Sequence, residues 1–291
     1  MVSLNFVAGC IYGILSILLF ALNALVLVTI FQFNEFSTIT YRIIKNMCLA
    51  CLIQQVAFFI GALMSFSHSN FNDTFEEIFG ALVQSGWILY ISLSLTLAVN
   101  RMLTFSYGHL SSPVSHFFLA LSWLHSIAHF VILMLPDFGF EYCYEYEEEY
   151  VCLGWYFDSS DGSYVLEPIE SYLLLALQCM ILICYIAVLG CLMRTMSNAK
   201  RNISSFRTEM RILLVSVVSF IYEGGLIVFL HFGIEILPSE NSTEMVLNVF
   251  WMLDSGLFSL ATLLINTKIR GRLLSMFSRR EIVTAVQSYQ S

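Results

Sequence analysis

The sequence predicts an all-α membrane protein, a seven-transmembrane helix bundle forming one domain over residues 1–291, and three observations carry that prediction. Seven apolar stretches are long enough to cross a bilayer, every basic residue falls on one side of a seven-span arrangement, and charge is scarce. Hydrophobic residues make up 58% of the chain and charged residues 12%, with a mean hydropathy of +0.78. So few polar side chains cannot cover a soluble globule of this length, and most of the surface must face lipid.

Lipid offers the backbone no hydrogen bonds, so a span across a core of about 30 Å is a helix of about 20 residues or a strand of a closed barrel. The stretches Val7–Phe31, Asn46–Phe66, Ile78–Leu103, Phe117–Leu135, Tyr172–Met193, Ile212–Ile236 and Val246–Ile265 qualify as helices. The short alternating segments of a barrel are missing. The first stretch has no basic residue before it, exceeds a signal peptide's apolar core and has no small-residue cleavage site, so it is expected to stay as a span. No lipidation motif stands out, since Cys191 is the last cysteine and Val2 follows Met1.

Cytoplasmic loops carry the Lys and Arg excess of a membrane protein. Arg42 and Lys45 follow the first span and Arg101 closes the third. Arg194, Lys200, Arg201, Arg207 and Arg211 lie between spans five and six, and the remaining five are in the tail after Asn266. All 13 share one face, which predicts the N-terminus outside and the C-terminus inside. The acids cluster in the outer loops, so the net charge of −8 describes an acidic outer face that attracts cations and gives nucleic acid no footing.

Six of the eight cysteines lie within spans, where a small buried hydrophobe is the expected role. Cys143 and Cys152 lie in the second outer loop, on the oxidising side, and are expected to form a disulfide with each other or between chains. The sequons at Asn72 and Asn241 are in outer loops and available for glycosylation, whereas Asn202 is cytoplasmic and should stay bare.

Two acids fall inside spans, where an ionisable group costs about 2.5–3.5 kcal/mol at mid-bilayer on insertion scales and marks a functional candidate. Glu223 is near the middle of the sixth span, and Asp254 is about 12 Å below the outer end of the seventh. No Lys or Arg lies in the outer half of the bundle. Their counterparts are therefore histidine, neutral hydrogen-bonding groups, a proton, a metal ion or a cationic ligand. His125 and His129 are one turn apart in span four and His231 is near the outer end of span six. Glu223, Asp254, Gln84, His129 and His231 form the candidate ligand set, and the alternative is that Glu223 only fixes packing. The second outer loop, Pro136 to Glu170, alternates acids and aromatics around Cys143 and Cys152. It is either a strand-like lid or a solvated acidic loop.

Several residues stand where rhodopsin-like receptors have landmarks. They are Asn23 in the first span, Leu49-Ala50 in the second, Asn100-Arg101-Met102 at the end of the third, Trp123 in the fourth and Asn266 closing the seventh. The chain departs from that pattern where Gln54 and Gln55 stand near the second span's missing acid, the sixth span has no proline, and Thr267 follows Asn266. The outer end of the third span, Gly80 to Gly86, carries no cysteine. These features together resemble the nematode serpentine chemoreceptors, of Srx/Srt type, within the rhodopsin-like superfamily of G-protein-coupled receptors.

That resemblance implies a receptor in the plasma membrane, in sensory neurons the ciliary membrane, with a small-molecule ligand outside and a heterotrimeric G protein inside. Asn100, Arg101, Arg207, Arg211 and Asn266 are the implied coupling residues. Arg101 is alternatively a helix cap, a phospholipid partner or a topology anchor. Gly224-Gly225 stand where the superfamily bends its sixth helix with proline, so they are either a hinge or a close-packing site. Lys268–Phe277 has the apolar face of an interfacial helix. No opsin-type lysine lies in the seventh span, and no catalytic constellation, cofactor motif or metal-ligand spacing appears, so an enzyme is not expected. A small polytopic transporter or channel is the alternative, although neither an internal repeat nor a polar pore stripe is visible.

Overall fold

The computed structural model describes residues 4–143, 146–147, 150–151, 153–197, 203–232 and 241–276. Seven helices account for most of them: α1 Leu4–Gln32, α2 Ile39–Ser67, α3 Asp73–Ser106, α4 Gly108–Leu133, α5 Asp161–Ser197, α6 Ile203–Phe232 and α7 Asn241–Ile265. Each is long and apolar enough to cross a membrane. Each helix overlaps one of the seven expected apolar stretches; Phe117–Leu135 runs two residues past α4, and the last four residues of Ile212–Ile236 lie outside the described residues. α3 is the central pillar, with 94% of its most apolar stretch buried against 22% for α4.

Contacts among helix termini define two ends of the bundle. At one end α2 begins, α3 stops at Ser106, and α4 starts after the single residue Tyr107. Residues 267–276 form a further helix, α8, at the same end. The Asn266 side chain accepts from the Lys268 and Ile269 amides at 3.2 and 3.4 Å, the geometry of an N-cap. Arg272 forks onto Glu35, in the Asn34–Phe36 turn between α1 and α2, with nitrogen–oxygen distances of 2.6 and 2.9 Å. Its guanidinium also lies 5.0 Å from the Phe33 ring centre. Of the run Lys268–Phe277, residues 268–276 are helical and docked on the α1–α2 turn, while Phe277 lies outside the described residues.

Polar side chains tie the helices together at mid-depth, where lipid provides no competing partners. Asn23 donates to the Ser255 carbonyl at 3.0 Å and accepts from Ser259 at 2.6 Å, joining α1 to α7. Gln55 of α2 donates to Ser255 and to the Met252 carbonyl. Trp123 of α4 donates to Asn46 of α2 at 2.9 Å.

The opposite end is closed by a hairpin from the segment between α4 and α5. β1 Phe140–Cys143 pairs antiparallel with β4 Gly154–Phe157, and β2 Tyr146–Glu147 with β3 Tyr150–Val151. Phe140, Tyr142 and Trp155 are buried on the inward side while Glu141 is exposed. The outer pair of strands is therefore a lid, and of the two readings of this loop the strand-like one describes it.

The lid is held to α3 without a cysteine there. Glu76 accepts from the Tyr142 amide at 2.7 Å, and Gly80 lets the strand come so close that a Cβ at that position would sit 1.6 Å from the Phe140 carbonyl oxygen. Tyr142 also bonds Ser65 at 2.6 Å, and Tyr12 of α1 donates to the Leu153 carbonyl at 3.0 Å. The expected disulfide involves Cys152, which lies outside the described residues.

Candidate functional site

Glu223 of α6 and Asp254 of α7 are both buried in the middle of the bundle and lie within electrostatic reach of each other. Trp87 of α3 donates its indole N–H to Asp254 Oδ2 at 3.3 Å. Asp254 Oδ1 and both Glu223 oxygens have no hydrogen-bond partner among the described residues. Gln178 of α5 and Ser94 of α3 stand beside the Glu223 carboxyl, and Ser219 stands beside the Tyr90 hydroxyl, but none of these approaches reaches hydrogen-bond geometry. Among the described residues, no basic side chain acts on either carboxylate.

Aromatic rings connect this acid pair to the lid. Trp87 lies 5.4 Å from Trp251, which lies 5.3 Å from Phe58 and 6.1 Å from Phe140 of β1. Tyr142 and Trp155 stack edge to face at 5.1 Å on the same side of the lid. Displacing the hairpin would move a ring that touches the wall of the acid pair.

Gln84 and His129 do not join Glu223 and Asp254. Gln84 donates to Glu170 Oε1, and His129 Nε2 lies 3.1 Å from Glu170 Oε2, so α3, α4 and α5 share a second buried polar cluster. His125, one turn away, bonds Ser92 at 3.0 Å. Glu170 was expected to close the outer loop, but α5 begins at Asp161, so this acid lies nine residues inside a helix and is buried. Asp161-Gly162-Ser163 and Pro168 read as loop residues, whereas the contacts that accompany the burial of Glu170 come from Gln84 and His129, both distant in sequence.

Near the C-terminal end of α3, Arg101 is fully buried. It donates to Thr40 of α2 and, at 2.9 Å, to the Asn100 side-chain oxygen. Thr40 also donates to that oxygen at 3.0 Å, while Asn100 Nδ2 donates to Ser111 and Ser115 of α4 at 2.9 and 3.0 Å. The Asn100 amide thus touches the arginine and braces α2, α3 and α4. Burial removes phospholipid pairing and snorkelling as roles for Arg101 in this conformation. Arg211 of α6 donates to Thr267 at the start of α8. Tyr185 of α5 stands between the two levels, within electrostatic reach of both Glu223 and Arg101.

α6 runs without a break through Gly224-Gly225. A Cβ on Gly225 would meet nothing within 4 Å, and one on Gly224 only Gln178 Oε1 at 3.7 Å. Close packing therefore does not explain the pair. Asn72 is exposed and caps α3 by accepting from the Thr74 amide at 2.9 Å, which leaves its side-chain nitrogen free to carry a sugar. Arg207 and His231 fall on α6 and Asn241 opens α7, but their side chains lie outside the described residues, as does Cys152. Among the described residues no three His, Cys, Asp or Glu side chains are arranged to hold a metal ion.

These features define a bundle of seven helices, each long and apolar enough to cross a membrane, with a hairpin lid at one end, two acids in the core and a buried arginine toward the other end. The fold is that of rhodopsin: the crystal structure of squid rhodopsin superposes with a TM-score of 0.72, covering 94% of this chain and 85% of that one at 15% identity. No protein-family model matches the sequence, and no curated protein matches it.

Proposed function

We propose that this protein is a G-protein-coupled chemosensory receptor of the nematode serpentine kind. The observation that carries the reading is Arg101, buried at the inner end of α3 and held by Thr40 and Asn100, in a bundle that follows the rhodopsin fold over nearly its whole length. In this reading the conformation is the resting one. A small molecule reaches the outer half of the bundle among α3, α5, α6 and α7 and binds more tightly to an alternative packing. Its differential affinity shifts the population. Movement of α6 then parts Arg211 from Thr267, frees Arg101 and opens a crevice for a heterotrimeric G protein, with Arg207, Arg211 and Asn266 at its rim.

The charge census supports an N-terminus outside and a C-terminus inside, in the plasma membrane or a sensory cilium. Glycans at Asn72 and Asn241 and a Cys143–Cys152 bond belong to the outer face in this orientation. The test is guanine-nucleotide exchange by purified heterotrimer in vesicles containing the full chain. Receptor-dependent exchange that Arg101→Gln abolishes at normal membrane levels is the expected result. Uptake or current through the chain with no G protein present, and no exchange, would instead identify a transporter or channel.

A further inference from the structure

The bundle buries two carboxylates at its centre, and among the described residues no basic side chain acts on either. Three of their four oxygens are unpartnered among the described residues. So are the hydroxyls of Tyr90, Ser94 and Ser219 and both side-chain polar atoms of Gln178, each more than nine-tenths buried. These groups come from α3, α5, α6 and α7 and adjoin one another. Buried polar atoms in native proteins are almost always paired, so this concentration at one place marks a site whose partner is not part of the fold.

The chemistry of the set specifies that partner. A carboxylate accepts only, so its partner must donate, and a partner that holds both acids ionised must carry positive charge. The hydroxyls and the amide accept further N–H bonds. The indole rings of Trp87 and Trp251, 5.4 Å apart, form an electron-rich apolar wall beside Asp254. A bare divalent ion would demand a compact shell of His, Cys, Asp or Glu ligands, and the described residues offer none.

We infer that Glu223 and Asp254 bind a small organic ammonium ion, its nitrogen between the carboxylates and its hydrocarbon body against Trp87 and Trp251. This deepens the receptor reading and rests on it for the ligand's role, but binding itself needs no G protein. The Phe140 ring, 6.1 Å from Trp251, places the lid directly over the aromatic wall, so entry past β1 would be felt at the outer surface.

The test uses the purified full chain in lipid nanodiscs and follows thermal unfolding with 2-phenylethylamine and its uncharged counterpart 2-phenylethanol. The amine is expected to raise Tm saturably while the alcohol does not. Glu223→Gln and Asp254→Asn should each weaken the apparent affinity by roughly tenfold or more, and Glu223→Asp, which keeps the charge, should retain binding. If Glu223→Gln does not fold, Asp254→Asn reads the same interaction. No shift with the amine, an equal shift with the alcohol, full binding by both neutral variants, or a saturable shift with sodium alone would each overturn the assignment. Because the assay contains no G protein, its failure leaves the exchange experiment standing, and loss of exchange leaves this one standing.

Discussion

Arg101 donates to Thr40 across the α2–α3 contact, and both residues converge on the side-chain oxygen of Asn100. Hydroxyl and amide dipoles meet part of the arginine's positive charge, and hydrogen bonds to a charged donor are stronger than neutral ones. Removing the hydroxyl with Thr40→Val should release the arginine in part. A hydrogen bond to a charged group is worth about 1.5–3 kcal/mol, so basal nucleotide exchange should rise roughly tenfold. Asn100→Asp should act in the opposite direction, since the acid pairs fully with Arg101. Unchanged exchange in both variants would show that this network does not gate the inner face.

The Glu35–Arg272 fork predicts how α8 docking responds to pH. The Arg272 hydrogen bonds, aided by its charge and that of Lys268, hold the Glu35 carboxyl below its ordinary value of 4.5 against the opposing effect of burial. A depressed acid contributes stability that is present above its unfolded pKa and lost as pH falls through the folded one. Docking should therefore be constant at neutral pH and weaken only below the usual carboxylate range. A spin label at Ser275 should gain mobility there, and Arg272→Ala should already be mobile at neutral pH with no acid transition. Both side chains are about half exposed, so added salt should mimic part of the substitution.

Gly80 predicts what holds the lid. A methyl group there would collide with the Phe140 carbonyl oxygen, and a backbone atom cannot swing aside as a side chain can. Gly80→Ala should displace β1 at a cost of about 1–3 kcal/mol, typical of overpacking, and lower Tm. It should also change the fluorescence of Trp155, which packs 3.2 Å from the same spot. Gly225→Ala, with no atom near the added methyl, serves as the control and should leave Tm unchanged or raised.

The seven helices were legible because bilayer thickness imposes a length and the positive-inside bias imposes an order, both written in local sequence. Glu223 and Asp254 stood out for the same reason, as charges in apolar runs. Glu170 did not, because the turn before it reads as a loop and its partners Gln84 and His129 lie on other helices. Thr40 carried no signal at all: a threonine in a helical turn acquires its role only when α2 meets α3. Asn266 was singled out by resemblance as a coupling residue, yet its carboxamide caps α8, a role that the amphipathic run after it could have indicated.

Gly224-Gly225 set the last prediction. Glycine disfavours helix by about 0.8–1.0 kcal/mol relative to alanine, so the pair makes a weak point in α6 one residue after Glu223. Neither glycine is there to admit a neighbour, since the space beside both accommodates a methyl group. If α6 bends at this point when the inner face opens, two alanines stiffen the straight form by roughly tenfold or more in equilibrium population. The test needs no ligand. Placed in the Thr40→Val background, Gly224→Ala with Gly225→Ala should suppress the raised basal exchange while keeping or increasing Tm. A double alanine chain that signals as strongly as its Thr40→Val parent would mean that α6 moves as a rigid rod, and that the glycines serve some purpose other than bending.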